Sequence, residues 1–167
     1  MTKAFLLLFN PFKRWSVMTQ FLLLRRDIVQ QMPWMVAELK PLILPYIPTE
    51  KLPGMGYISA SLHTRHFIVL IRREVLSDGF DYIISVTSTC SPNEQFPFSV
   101  AIQAIAELSG IEHFDQHTYD SLVDLDYALQ VGFDELRTHL SCENFGKTRL
   151  AITRLLKEAV VHSTRAS

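Results

Sequence analysis

Three stretches of this 167-residue chain carry residue types that could do chemistry. The first centres on Cys90, which ends an expected strand and is followed at once by Ser91-Pro92-Asn93-Glu94, a capping box with proline at the first helical position. Amide N–H groups at a helix start stabilise a thiolate, which makes Cys90 the candidate nucleophile. A phosphatase-type loop would need an arginine six positions later, where Phe96 stands. A thiol hydrolase would need a histidine within reach, and the expected strand register turns His66 to the other sheet face. The plainer role is that of a small residue packed beside Phe67.

The second stretch is a ladder of His113, His117, Asp120 and Asp124, which share one face if the helix is continuous. Imidazole and carboxylate together form a metal-ligand set, so His113 and His117 are the candidate metal ligands. The ladder lies opposite the Leu122, Leu125, Leu129 and Leu136 stripe, which puts it toward solvent, and no His-Glu-x-x-His pattern accompanies it. A hydrated face is expected there, and no metal or other cofactor.

The third is Gly146-Lys147-Thr148, the ending of a phosphate-binding loop. That loop needs a glycine five residues earlier, where Ser141 stands, and a preceding strand, where a helical pattern runs. Thr148 is expected to cap the last helix instead. The six glycines make neither a nucleophile elbow nor a dinucleotide fingerprint. Enzymatic activity is therefore not the leading expectation.

Charge is distributed unevenly. Sixteen Lys and Arg stand against seventeen Asp and Glu, a formal net charge of −1. Residues 1–73 hold ten basic and three acidic residues, residues 74–136 hold twelve acidic and no Lys or Arg, and residues 137–167 hold six basic and two acidic. The balances are +7, −12 and +4. A uniformly basic nucleic-acid binder is excluded, but an acidic surface that steers a basic protein is not. Glu112, Asp115, Asp120, Asp124 and Asp126 are the candidate binding residues. The competing expectation is that the basic first and last segments lie against the block and cancel it.

The elements that must position these residues follow from periodicity. Residues 18–32 favour helix, and Pro33 opens a short helix over 34–40 that Pro41 stops. Pro41, Pro45, Pro48 and Pro53 make the next stretch extended and irregular. Strands are expected at 57–62, 65–75 and 80–90, the last two joined by a type I′ turn at Asp78-Gly79. That turn pairs Ser77 with Phe80, Arg73 with Ile84 and Phe67 with Cys90. The face holding Phe67, Ile71 and Val86 is apolar apart from Arg73 and is the expected core. The opposite face is mixed and partly covered. Helices follow at Phe98 to a stop at Gly110, along the Leu122 stripe as far as Leu140, and over 150–161. The fold class is α+β: N-terminal helices, a three-stranded antiparallel meander, and C-terminal helices packed on one sheet face. Residues 18–162 form the domain, 1–17 an N-terminal extension with Met18 as an alternative start, and 163–167 a frayed tail.

No apolar run is long enough to span a membrane, and two cysteines are too few for a secreted disulfide scaffold, so a reducing cytoplasm is expected. Residues 1–26 mix Lys3, Lys13, Arg14, Arg25 and Arg26 with Phe5, Phe9, Phe12, Trp15 and Phe21 and hold no acid. A peripheral membrane anchor would have this composition, but the apolar residues point nearly all round the helix. The sequence thus leads to a small non-enzymatic binding module, like an immunity or inhibitor protein, that shows an acidic helical surface to a basic partner. The alternatives are an enzyme using Cys90 or a metal at His113 and His117, and a membrane-associated protein.

Overall fold

The computed structural model describes residues 11–46, 57–75, 78–111 and 119–165. In chain order the elements are α1 (Pro11–Gln31), α2 (Pro33–Glu38), β1 (Leu42–Pro45), β2 (Tyr57–His63), β3 (Phe67–Val75), β4 (Phe80–Ser88), β5 (Phe96–Pro97), α3 (Phe98–Ser109), α4 (Leu122–His139) and α5 (Phe145–Arg165). The class is α+β, as the sequence indicates. The sheet is antiparallel throughout and follows chain order, but it has five strands rather than three.

Both additional strands contain proline, which explains why periodicity passes over them. In β1, Leu42 pairs with His63 and Pro45 with Ala60. A proline missing its N–H is tolerated on an edge strand, where one side of the ladder is unused. At the far edge, Phe96 and Pro97 pair with Val86 and Ser85 before the chain enters α3 directly. Two residues are too few to show a period.

The β3–β4 pairing also corrects the expected register. Val75 pairs with Phe80, Arg73 with Tyr82, Ile71 with Ile84 and Phe67 with Ser88. Four residues, not two, link the strands, and Gly79 does not take the positive φ that a type I′ turn demands. The slip is two residues, an even number, so every side chain keeps its face. Phe67, Val69, Ile71, Ile84 and Val86 accordingly join Ala60 and Leu62 of β2 in the core. The other face is mixed, with Ile68, Leu70, Ser59, Ser61 and Thr87 buried beside exposed Ile83.

Helices complete that core. In α1, Phe21, Leu24 and Ile28 recur at helical spacing, are buried, and lie against β1 and β2. Leu22 and Leu23 between them stay exposed, so the helix is anchored along one line only. Arg73, the single charge on the core face, is 6% exposed and reaches up to α1. Its Nη2 donates to Gln20 Oε1 at 3.0 Å, its Nη1 lies 3.8 Å from Asp27, and its guanidinium sits 4.7 Å over the Phe80 ring. A buried cation is tolerated only with such partners, and here they fix α1 on the sheet.

The C-terminal helices use the expected stripes. Phe98, Ala101, Ile102 and Ile105 of α3 are buried, and Leu108 is exposed. Gly110 ends α3 at φ +67°, with its N–H and that of Ile111 both donating to Ala106 O. Only glycine takes this left-handed cap without strain. Helix α4 runs unbroken through Gly132 and buries Leu122, Leu125, Leu129 and Leu136. Helix α5 packs on α3 and continues to Arg165, past the end that its apolar pattern suggests.

Candidate functional site

Of the five candidate acidic residues, Asp120, Asp124 and Asp126 are brought together at the start of α4; Glu112 and Asp115 lie outside the described residues. Ser121 caps α4: its Oγ accepts from Asp124 N–H at 3.1 Å and donates to Asp124 Oδ2 at 2.6 Å. The amide-to-hydroxyl bond is the N-cap of a Ser-x-x-acid start, and the carboxylate, held here by the Ser121 hydroxyl, also suits the positive helix end. Asp126 faces inward and accepts a 2.6 Å hydrogen bond from Trp34 Nε1, which ties α2 to α4, with Gln130 Nε2 at 3.0 Å. Asp120 is exposed. Nearby, Tyr119 meets the Phe98 ring edge-on at 5.0 Å. Burial first, then the Asp124 carboxylate and Tyr127, raises its phenol above the ordinary value.

The outward face of α4 carries a feature that charge counting misses. Val123, Tyr127 and Val131 recur every four residues and are 60%, 55% and 51% exposed. Asp124 and Asp134 lie beside them on the same side of the helix, and exposed Asp120 stands just ahead of its first turn. Val131 also enters a groove of about 520 Å³ between α2 and α4, lined by Trp34, Leu39 and Phe133 together with Glu38, Gln130 and Asp134. Stripe and groove adjoin at Val131; the stripe is apolar, whereas the groove shows more polar than apolar surface. The signal was present in the sequence as a second i, i+4, i+8 line on the helix, hidden by the stronger leucine stripe.

The residues proposed for catalysis have other surroundings. Cys90 is bonded to Cys142, with Cα atoms 5.6 Å apart, so in this form it holds no thiolate. Position 90 is also not at a helix start, because the capping-box residues form a turn and α3 begins only at Phe98. His113 and His117 lie outside the described residues. Among the described residues, no three His, Cys, Asp or Glu side chains are grouped as a metal site would need. Thr148 is buried, and its hydroxyl donates to His139 O at 2.8 Å; it clips α5 to the end of α4 and does not cap its own helix by accepting an amide.

A serine, a histidine and a carboxylate that sequence reasoning passed over do meet. Ser109 Oγ is 2.9 Å from Glu135 Oε2 and 2.8 Å from His139 Nε2. The arrangement is wrong for nucleophilic catalysis. The serine proton goes to the carboxylate, and Glu135 approaches the same imidazole nitrogen, at 3.6 Å, as the serine does. A triad instead needs the acid on the far nitrogen, orienting a base that faces the hydroxyl. Ser109 is also at the carbonyl end of α3, where an oxyanion is repelled. The cluster holds α3 to α4.

No family model, no curated protein and no solved structure matches this chain. Its own electrostatics therefore carry the functional argument. The basic last segment does neutralise part of the acidic block: Arg149 pairs with Glu94 at 3.2 Å, and Arg154 pairs with Glu107. Both contacts are on the α3–α5 side. On the α4 side, Asp134 pairs with Arg137 at 3.1 Å, and among the described residues no Lys or Arg pairs with Asp120, Asp124 or Asp126. In the N-terminal helix Phe21, Leu24 and Ile28 pack into the core while Val17, Met18, Leu22 and Leu23 are exposed; Phe5, Phe9, Phe12 and Trp15 lie outside the described side chains. Among the described residues, no helix is long and apolar enough to cross a membrane.

Proposed function

We propose that this chain is a non-enzymatic protein-binding module whose α4 face receives a basic, amphipathic segment of a partner protein. The observation that carries the reading is the exposed Val123, Tyr127 and Val131 line, with Asp124 and Asp134 beside it on α4, which meets at Val131 a groove lined by Trp34, Leu39 and Phe133 together with Glu38 and Gln130. Apolar side chains left in water at helical spacing are what an incoming helix buries. Acidic borders select a partner with Lys or Arg beside its apolar face and speed its approach. Asp124 and Asp126 contribute field while their side chains hold the local structure. Glu112 and Asp115, if they extend the acidic border, would strengthen the same preference.

The test uses two designed helical peptides with one leucine pattern, the first flanked by lysines and the second by glutamates. Calorimetry should show binding of the lysine peptide and none of the glutamate peptide. Val123→Ser combined with Val131→Ser, with circular dichroism unchanged, should weaken binding at least tenfold, and Asp120→Lys with Asp134→Lys should do the same. Equal binding of both peptides, or lysine-peptide binding indifferent to all four substitutions, would refute the proposal.

A further inference from the structure

The Cys90–Cys142 bond joins two turns that are already held together without it. On the sheet side, the turn after β4 is fixed by Cys90 N–H donating to Ser88 Oγ at 3.2 Å and by Thr87 Oγ1 donating to Ser91 O at 2.7 Å. On the helix side, the turn between α4 and α5 is fixed by Ser141 Oγ and Asn144 Nδ2, both donating to Thr138 O, at 2.7 and 3.0 Å. Across the junction, buried Ser88 Oγ donates to Leu140 O at 2.7 Å, and Arg149 pairs with Glu94. These contacts would keep the two cysteines adjacent with the bond open. Both cysteines are nonetheless exposed. A buried structural disulfide is shielded from external thiols; this one can be approached from solvent.

We infer that Cys90 and Cys142 form a reversible dithiol–disulfide couple that exchanges with external dithiols while the fold stays intact. A thiolate of the external dithiol attacks one sulfur of the bond, giving a mixed disulfide, and the other cysteine leaves as a thiolate and takes up a proton. The second thiol of the reagent then attacks the mixed disulfide. It releases the remaining cysteine, which is protonated, and the reagent departs as its own disulfide. Two electrons and two protons pass from the dithiol to the chain. Closure reverses the steps, and the fixed turns make it intramolecular. The couple lies at the α4–α5 turn, away from the Val123 end of the docking face, and does not depend on that face binding anything.

The experiment treats the oxidised full chain with dithiothreitol in native buffer. Two thiols per chain should become titratable with the far-ultraviolet circular dichroism unchanged. After the reductant is exchanged for oxidised glutathione, both thiols should disappear at a rate independent of protein concentration, leaving monomer. Thiols that appear only in denaturant would overturn the inference by showing the bond closed to reagents. Loss of helix signal on reduction would overturn it by showing a staple that the fold cannot release, and cross-linked dimers on reoxidation would show that the turns do not hold the pair.

Discussion

Removing the disulfide should cost the chain about 4 kcal/mol, a large share of the roughly 5–15 kcal/mol that holds a domain folded, and the size follows from the loop that it closes. Cys90 and Cys142 are 52 residues apart in sequence. Closing a loop of that length removes unfolded-state entropy worth about 4 kcal/mol at 25 °C in the chain-entropy model. The native-state contribution should be small, because Ser88–Leu140 and Arg149–Glu94 bridge the same junction without involving either sulfur. Unfolding entropy of about 2.1 cal/mol/K per residue over 167 residues gives roughly 0.35 kcal/mol/K, so the midpoint should fall by about 12 °C. The variant is Cys90→Ser with Cys142→Ser, which leaves no lone thiol to cross-link, and thermal and urea melts are compared with the wild type in the presence and absence of reductant. Reduced wild type and the double variant should coincide. A fall of less than about 3 °C would refute the loop-entropy reasoning. A variant that melts far below the reduced wild type would show that the side chains themselves, not the cross-link, support the junction.

Two further outcomes follow from backbone and phenol chemistry. Lys40 is left-handed, at φ +45°, where α2 gives way to Pro41 and β1; Lys40→Gly should therefore stabilise the fold by about 1 kcal/mol, read from the urea midpoint, whereas a loss would show that the lysine side chain repays the strain. Burial raises the phenols of Tyr82 and Tyr119 above their unfolded value of 10.0, Arg73 partly opposing it at Tyr82 and Asp124 adding to it at Tyr119. Above that value the unfolded chain releases protons that the folded chain retains, so this contribution is complete below pH 10 and is lost as pH rises through the folded values. The urea midpoint should drop as the pH rises above 10, and Tyr82→Phe with Tyr119→Phe should flatten that drop; an unchanged slope would remove both phenols as its cause.

The α+β class, the core face of the sheet and the leucine stripe of α4 were legible in the linear order of residues, because each depends on a local period. Even the wrong hairpin register left Phe67, Ile71 and Val86 on the core face, since an error of two residues does not change which way a strand side chain points. The same local logic undercounted the sheet. Leu42–Pro45 and Phe96–Pro97 become strands because β2 and β4 offer them edges, and that is a property of neighbours distant in sequence.

Charge and cysteines show the division most plainly. Composition along the chain was sufficient to establish blocks of +7, −12 and +4. Only the packed helices decided that α5 pairs with Glu94 and Glu107, and that α4 carries Asp124 and Asp134 beside an exposed apolar line, Asp134 paired with Arg137 of the same helix. Two isolated cysteines likewise said little, and His66 was the residue weighed against Cys90 when its partner was Cys142. Pairing depends on Cα atoms 5.6 Å apart between segments 52 residues distant. Side-chain period is written in one dimension, whereas adjacency between elements exists only once the chain has closed its loops.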